Sequence, residues 1–220
     1  MTVKLNSVNT KKCEGETYRI EIPKEQENCQ LPDPDLLTYY KDLEDRTIWI
    51  DHDINETVLE YGKLILRWNK EDHNIPVEDR KPIKILIYSY GGDLNACFTL
   101  LSIIKLSKTP VYTYNLGVAM SAGGLILLAG HKRFCTERST MLIHSGSGSQ
   151  SGNYEEVKAQ SKDYDHSISL MKKFIMDRTK IDQKTLNKHK ALDWYIYAEE
   201  QVSLGIVDAI VEDISDLYNA

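Results

Sequence analysis

The sequence lacks any paired-cysteine motif. Its four cysteines, Cys13, Cys29, Cys97 and Cys135, are widely scattered, with no CxxC and no histidine at zinc-finger spacing. Neither a metal site nor a redox motif is expected, and reduced thiols fit a cytoplasmic location. Positive charge is also scarce. The balance of 27 Lys and Arg against 33 Asp and Glu leaves a formal charge of -6, with no dense basic stripe, which argues against nucleic acid as a partner. Long apolar runs are missing too. The weakly polar stretch 117–130 is shorter than the roughly 20 residues a membrane-spanning helix needs. Residues 1–6 have none of the apolar core of a secretory signal, so no contact with a membrane is expected. No internal repeat is visible, and the only low-complexity tract is the Ser/Gly segment 145–152.

What is present is enough for one core. A chain of 220 residues that is 41% apolar falls in the range of a single well-covered domain. Residues 1–35 mix charges, Asn and Pro without a sustained period and are expected to form an irregular arm, with one folded domain over 36–220. Strand and helix signals then alternate. Arg46 to Asp51 is rich in β-formers, and Asn55 is a plausible cap for a helix carrying Val58, Gly62, Ile65 and Trp68 on one face. A buried-type strand over 83–88 runs into the Gly91-Gly92 turn. The following helix can be capped by Asp93, with Cys97, Leu100 or Leu101, and Ile104 inward. Residues 110–116 read as the next strand, and 117–130 as a turn followed by a small-residue, Leu-rich helix. Short strands are expected over 132–136 and 140–144, and a long helix over 154–179 with Val157, Tyr164, Ile168, Met171 and Ile175 in one stripe. The progression is of βαβ type, hence α/β.

Three residues can carry chemistry. Ser121 follows a strand at the first turn of a helix, where unpaired backbone N–H groups can stabilise the anion formed when a serine oxygen attacks a carbonyl. The plain alternative is a helix whose Gly, Ala and Ser serve packing, and Ala119 departs from the GxSxG elbow. His144 ends a strand and opens a Gly-rich loop, a usual place for a functional group on a rigid scaffold; a hydrogen-bonded structural histidine is the alternative. Asp193, beside Trp194 and Tyr195, can orient an imidazole or be an ordinary loop acid. Gly91 and Gly92 offer backbone N–H groups, although a tight turn needs the same residues.

In order, Ile87-Tyr88-Ser89-Tyr90-Gly91-Gly92, Gly117-Val118-Ala119-Met120-Ser121-Ala122-Gly123, Lys132-Arg133-Phe134-Cys135, Met141-Leu142-Ile143-His144, Asp193, Tyr197-Ala198-Glu199-Glu200 and Leu204-Gly205-Ile206-Val207-Asp208 together resemble the ClpP family, the proteolytic subunits of the Clp protease. The likeness runs from about residue 43 to 211. The 49-residue step from His144 to Asp193 matches the family's, while that from Ser121 to His144 is two residues shorter near Gly130. The resemblance implies a ClpP/crotonase-type spiral of repeated β-β-α units with a protruding handle helix, the handle lying over about 145–179. It implies a serine endopeptidase without cofactor or metal, with Ser121 as nucleophile, His144 as base and Asp193 as orienting acid. Gly92 and Ala122 would supply the oxyanion hole. An extended polypeptide substrate would lie between residues 93–95 and 145–148, touching Gly91, Asp93, Leu94, Ser145, Gly146, Ser147 and Gly148. Two stacked sevenfold rings and an AAA+ unfoldase partner follow from the same likeness.

Departures mark a divergent member of the family, of the kind a phage or mobile element encodes. Tyr90 stands where a proline is usual, Ser145-Gly146 where Gln-Pro is usual, and Ala122 where Met is common. Positions often aromatic in the ATPase pocket are Lys84, Leu86 and Leu106. The competing functions are a silent scaffold subunit and a crotonase-type acyl-CoA hydratase or isomerase. The latter needs a carboxylate that the Ser121 region lacks. A membrane-anchored signal-peptide peptidase is disfavoured, since no anchor is visible.

Overall fold

Strand Val111–Met120 organises the molecule, because it changes partner halfway along. In the computed structural model, which describes residues 33–217, contacts divide the chain into Met1–Tyr39 and Tyr40–Ala220. Every element from the first strand onward belongs to the second unit. The strands are β1 (Thr47–Ile50), β2 (Ile83–Ser89), β3 (Val111–Met120), β4 (Lys132–Thr136), β5 (Thr140–Ile143), β6 (Trp194–Tyr197) and β7 (Ala209–Val211). The order β1-β2-β3-β4-β7 is parallel throughout. The second half of β3 instead pairs in parallel with β5, which takes β6 as an antiparallel neighbour.

At the switch, the buried Asn115 side chain donates to the Thr140 carbonyl and accepts from the Gly117 N–H, at 3.1 and 3.2 Å. It satisfies backbone groups where the ladder changes hands. The expected turn at Gly117 is therefore corrected: β3 runs through it to Met120. A Cβ there would sit 3.1 Å from the Tyr88 ring, a tight contact that the half-exposed ring would have to relieve by shifting.

Helices α2 (Val58–Glu71), α3 (Leu94–Leu106) and α4 (Ala122–Ala129) pack together, and α4 also packs against the sheet. The predicted stripes Val58, Gly62, Ile65, Trp68 and Cys97, Ile104 are buried, and both of the alternatives Leu100 and Leu101 are buried with them. Each large aliphatic side chain so buried contributes roughly 1.5–3 kcal/mol, as an upper estimate. Asp93 caps α3 as expected, accepting from the Ala96 N–H at 2.7 Å. Asn55 does not cap α2. It accepts from Thr57 N–H in the preceding turn, and Thr57 is the N-cap residue.

Three further features differ from the sequence reading. Helix α1 (Pro34–Glu44) begins inside the expected arm, of which residues 1–32 lie outside the described residues. Pro34 suits a first helical position, where its missing N–H would have had no partner anyway. Helix α6 (Gln183–His189) and strand β6 stand where no element was read. Helix α5 (Tyr154–Arg178) matches expectation and opens with a capping box between Asn153 and Glu156. Of its stripe, Ile168, Met171 and Ile175 are buried, while Val157 and Tyr164 are half-buried. The last α-helix, α7, spans Ala198–Ser203.

One buried ion pair ties the start of the sheet to the end of α2. Asp72, 1% exposed, accepts both guanidinium nitrogens of Arg46 at 2.6 and 2.7 Å and the Thr109 hydroxyl at 2.8 Å. These bonds, the arginine's first, outweigh burial and hold its carboxyl below the ordinary carboxylate range.

Candidate active site

The strand register brings the three predicted residues to one end of the sheet. Met120 pairs with Leu142 in the parallel β3–β5 ladder, so the residues just past it, Ser121 and His144, leave the strands side by side. The Ser121 N–H donates to the Leu142 carbonyl at 2.9 Å and fixes that exit. Strand β6 runs antiparallel to β5 with Trp194 opposite Ile143, which sets Asp193 opposite His144. Crevices at the carboxyl ends of parallel strands are where α/β sheets place ligands.

Ser121 Oγ lies 2.7 Å from His144 Nε2. On the other side of the ring, His144 Nδ1 and Asp193 Oδ1 are 3.6 Å apart, close enough for an ion pair but too long for a hydrogen bond. The Asp193 side chain is 54% exposed and that of His144 26%. A hydroxyl in contact with an imidazole, which in turn faces a carboxylate, can perform nucleophilic attack with general-base assistance. Among the described residues, no group of three His, Cys, Asp or Glu could hold a metal ion, and no helix is long and apolar enough to cross a membrane.

Ser121 occupies an unusual backbone conformation. Its φ of 51° and ψ of -121° make it one of two non-glycine residues with positive φ among those described. It forms the corner between β3 and α4 at the N-cap of that helix, rather than in its first turn. The first N–H groups of a helix have no intrahelical partner, so those of Ala122, Gly123 and Gly124 are available beside Ser121. The small residues serve packing as well. A Cβ at Gly123 would press on Ser89, and one at Gly124 on Met141.

The glycine pair lies against this corner. A Cβ on Gly91 (φ 106°) would fall 2.8 Å from both the Met120 carbonyl and the Ser121 Cβ, and 3.3 Å from the Ala122 nitrogen. Gly92 (φ 144°) bridges to Ile54, where a Cβ would collide with the Ile54 carbonyl. Ser89, which the sequence reading passed over, pins the turn. Its hydroxyl donates to the His52 carbonyl at 2.7 Å and is placed to accept from Gly91 N–H at 3.3 Å. A serine two residues before a glycine pair was the available signal. Cys97 packs behind the same corner, its Sγ 3.3 Å from the Ala122 carbonyl, and burial pushes its thiol pKa up.

The predicted substrate-contact residues divide. Residues 145–148 have no regular structure and run along Tyr164 of α5, whose ring lies next to Gly146 and Gly148. His144, Ser145, Gly146 and residues 190–193 line a cleft of about 560 Å³. On the other side, Leu94 and Asn95 are already helical, and Asp93 is occupied in capping α3 and in an N–H bond to the Ile54 carbonyl. The expected extended edge over 93–95 is therefore corrected, since a helical segment cannot accept a paired strand. Tyr88 and Tyr90, both about half exposed, pack edge to face beside it.

A family model described as Clp protease matches residues 36–214. The chain belongs to the Clp protease family. It is 34% identical to the ATP-dependent Clp protease proteolytic subunit 2 of Treponema denticola over 139 residues, covering 62% of this chain and 70% of that one. It is 32% identical to proteolytic subunit 1 of Bacillus cereus over 194 residues, covering 87% and 97%. Among solved structures, a mutant of ClpP1 from Listeria monocytogenes aligns with a TM-score of 0.69 and 26% identity, over 82% of this chain and 99% of that one. The α/β sheet with its helices is thus the ClpP fold, in a divergent sequence.

Proposed function

We propose that this chain is a serine endopeptidase that cleaves unfolded polypeptides through an acyl-enzyme. The observation that carries the reading is the 2.7 Å contact between Ser121 Oγ and His144 Nε2 at a backbone corner held in positive φ. In acylation, Ser121 Oγ attacks the scissile carbonyl carbon while His144 Nε2 takes the hydroxyl proton. The peptide C–N bond then breaks, and that proton passes to the leaving amine. Water, deprotonated by the same imidazole, then attacks the acyl carbon; the bond to Ser121 Oγ breaks, the carboxylic acid leaves, and the proton on His144 returns to Ser121. Asp193 orients the ring, approaching from 3.6 Å as catalytic contacts tighten in the substrate complex. The N–H groups of Gly92 and Ala122 bind the oxyanion. The substrate lies along Gly91 and residues 145–148.

Membership of the Clp protease family supports assembly into two stacked sevenfold rings that meet through α5, in the cytoplasm, with an AAA+ unfoldase feeding the chamber. A second reading, a subunit that assembles but does not cleave, draws on the exposure of Asp193 and its separation from His144. Fluorophosphonate labelling of the purified protein, followed by peptide mapping, separates the two. One adduct on Ser121, absent in Ser121→Ala, is expected; a folded assembly that takes no label would leave the silent subunit.

A further inference from the structure

Beyond the end of the β5–β6 ladder, nothing in the sheet holds His144 to Asp193. The last paired residues are Ile143 and Trp194, and Asp193 sits in the exposed turn 190–193 that follows α6. One side chain spans this gap. The Ser145 hydroxyl donates to the Lys190 carbonyl at 2.9 Å, joining the residue after His144 to the turn that carries Asp193. Within the turn, the Leu192 N–H bonds back to the His189 carbonyl at 3.3 Å, and the His189 ring stacks on Trp194 with centroids 4.1 Å apart. A pull at Lys190 is thus passed to both flanks of Asp193. The Ser145 carbonyl in turn accepts from the Tyr164 hydroxyl of α5 at 3.4 Å, so the serine is held on its own side.

We propose that Ser145 is a positioning residue, whose hydroxyl clasps the 190–193 turn and so sets the distance between Asp193 and His144. This rests on the peptidase reading and reserves the Ser145 hydroxyl for the clasp, leaving only its backbone beside the substrate. A hydroxyl directed at a carbonyl of its own chain is not free for a substrate. The clasp also accounts for how an aspartate with a half-exposed side chain can stay within reach of an imidazole without a hydrogen bond of its own to it.

The test compares Ser145→Ala, Ser145→Thr and Asp193→Asn with the unaltered protein in two ways, by crystal structure and by steady-state hydrolysis of a fluorogenic peptide. In Ser145→Ala the turn 190–193 is expected to move and the Asp193 carboxylate to leave ion-pair range of His144. With it, kcat should fall roughly tenfold, the scale of one lost hydrogen bond, while KM stays level. Threonine, which keeps the hydroxyl, should restore both. A Ser145→Ala structure with Asp193 in place, or a rise in KM at constant kcat, would overturn the clasp. Absence of hydrolysis and of fluorophosphonate labelling in the unaltered protein, with the turn still displaced in Ser145→Ala, would remove the peptidase reading and leave the clasp standing.

Discussion

Removing the Cβ of Ser121 should stabilise the fold relative to removing only its oxygen. Ser121→Ala and Ser121→Gly both abolish the hydroxyl–imidazole contact of 2.7 Å, a bond contributing about 1 kcal/mol, so that loss cancels between them. What differs is the backbone. At φ 51° and ψ -121° alanine keeps the strain of a sparsely populated region, of order 1–3 kcal/mol, whereas glycine occupies it freely. Glycine's greater freedom in the unfolded chain returns about 0.5–1 kcal/mol. The net expectation is that Ser121→Gly is more stable than Ser121→Ala by about 1 kcal/mol, or a midpoint roughly 2–4 °C higher for a chain of this size. Thermal unfolding of both variants should be compared at one protein concentration, because association contributes to the midpoint. Equal stability, or alanine the more stable, would show that the corner is not strained and that Oγ is aimed by packing alone.

Other outcomes follow from single contacts. Gly92→Ala places a Cβ on the Ile54 carbonyl at φ 144°; it should lose about 1–3 kcal/mol in urea unfolding. Displacement of its N–H should also slow fluorophosphonate labelling of Ser121 by about 10²–10³-fold. Asp72 has a lowered pKa in the folded state through Arg46, so its stabilisation is full at neutral pH and is lost as pH falls below the ordinary carboxylate range. Asp72→Asn should therefore be less stable than the parent by about 3–5 kcal/mol at pH 7, with the difference shrinking in acid; an equal difference at pH 3 and pH 7, by urea titration, would contradict this. Cys97 and Cys135 are buried, with thiol pKa values pushed up by desolvation. Both should resist iodoacetamide in the native protein and react in denaturant, as peptide mapping can check.

Much of the scaffold was legible because its signals are local. The stripe on α3 and its Asp93 cap, the mostly apolar β2 and the long stripe of α5 each follow from neighbours in sequence. What escaped depends on contacts between distant segments. Gly117 looks like a turn residue until the Tyr88 ring is laid over it, and Asn115 looks like a strand-end polar residue until β3 changes partner beside it. The four-residue β6 is too short to announce itself, yet its pairing with β5 brings Asp193 to His144. The site residues were legible only jointly, by their order along the chain. The Asp93 cap by itself places residues 94 and 95 in α3 and rules out an extended edge over 93–95; what no local pattern encodes is the Ile54 bridge, which takes the Asp93 N–H as well.

Hydrolysis of denatured casein by the assembled protein, beside Ser121→Ala purified identically, tests the central claim most directly. The account predicts peptide release by the parent and none by the variant. Release at equal rates by both, or by neither when both are folded and assembled, would contradict it.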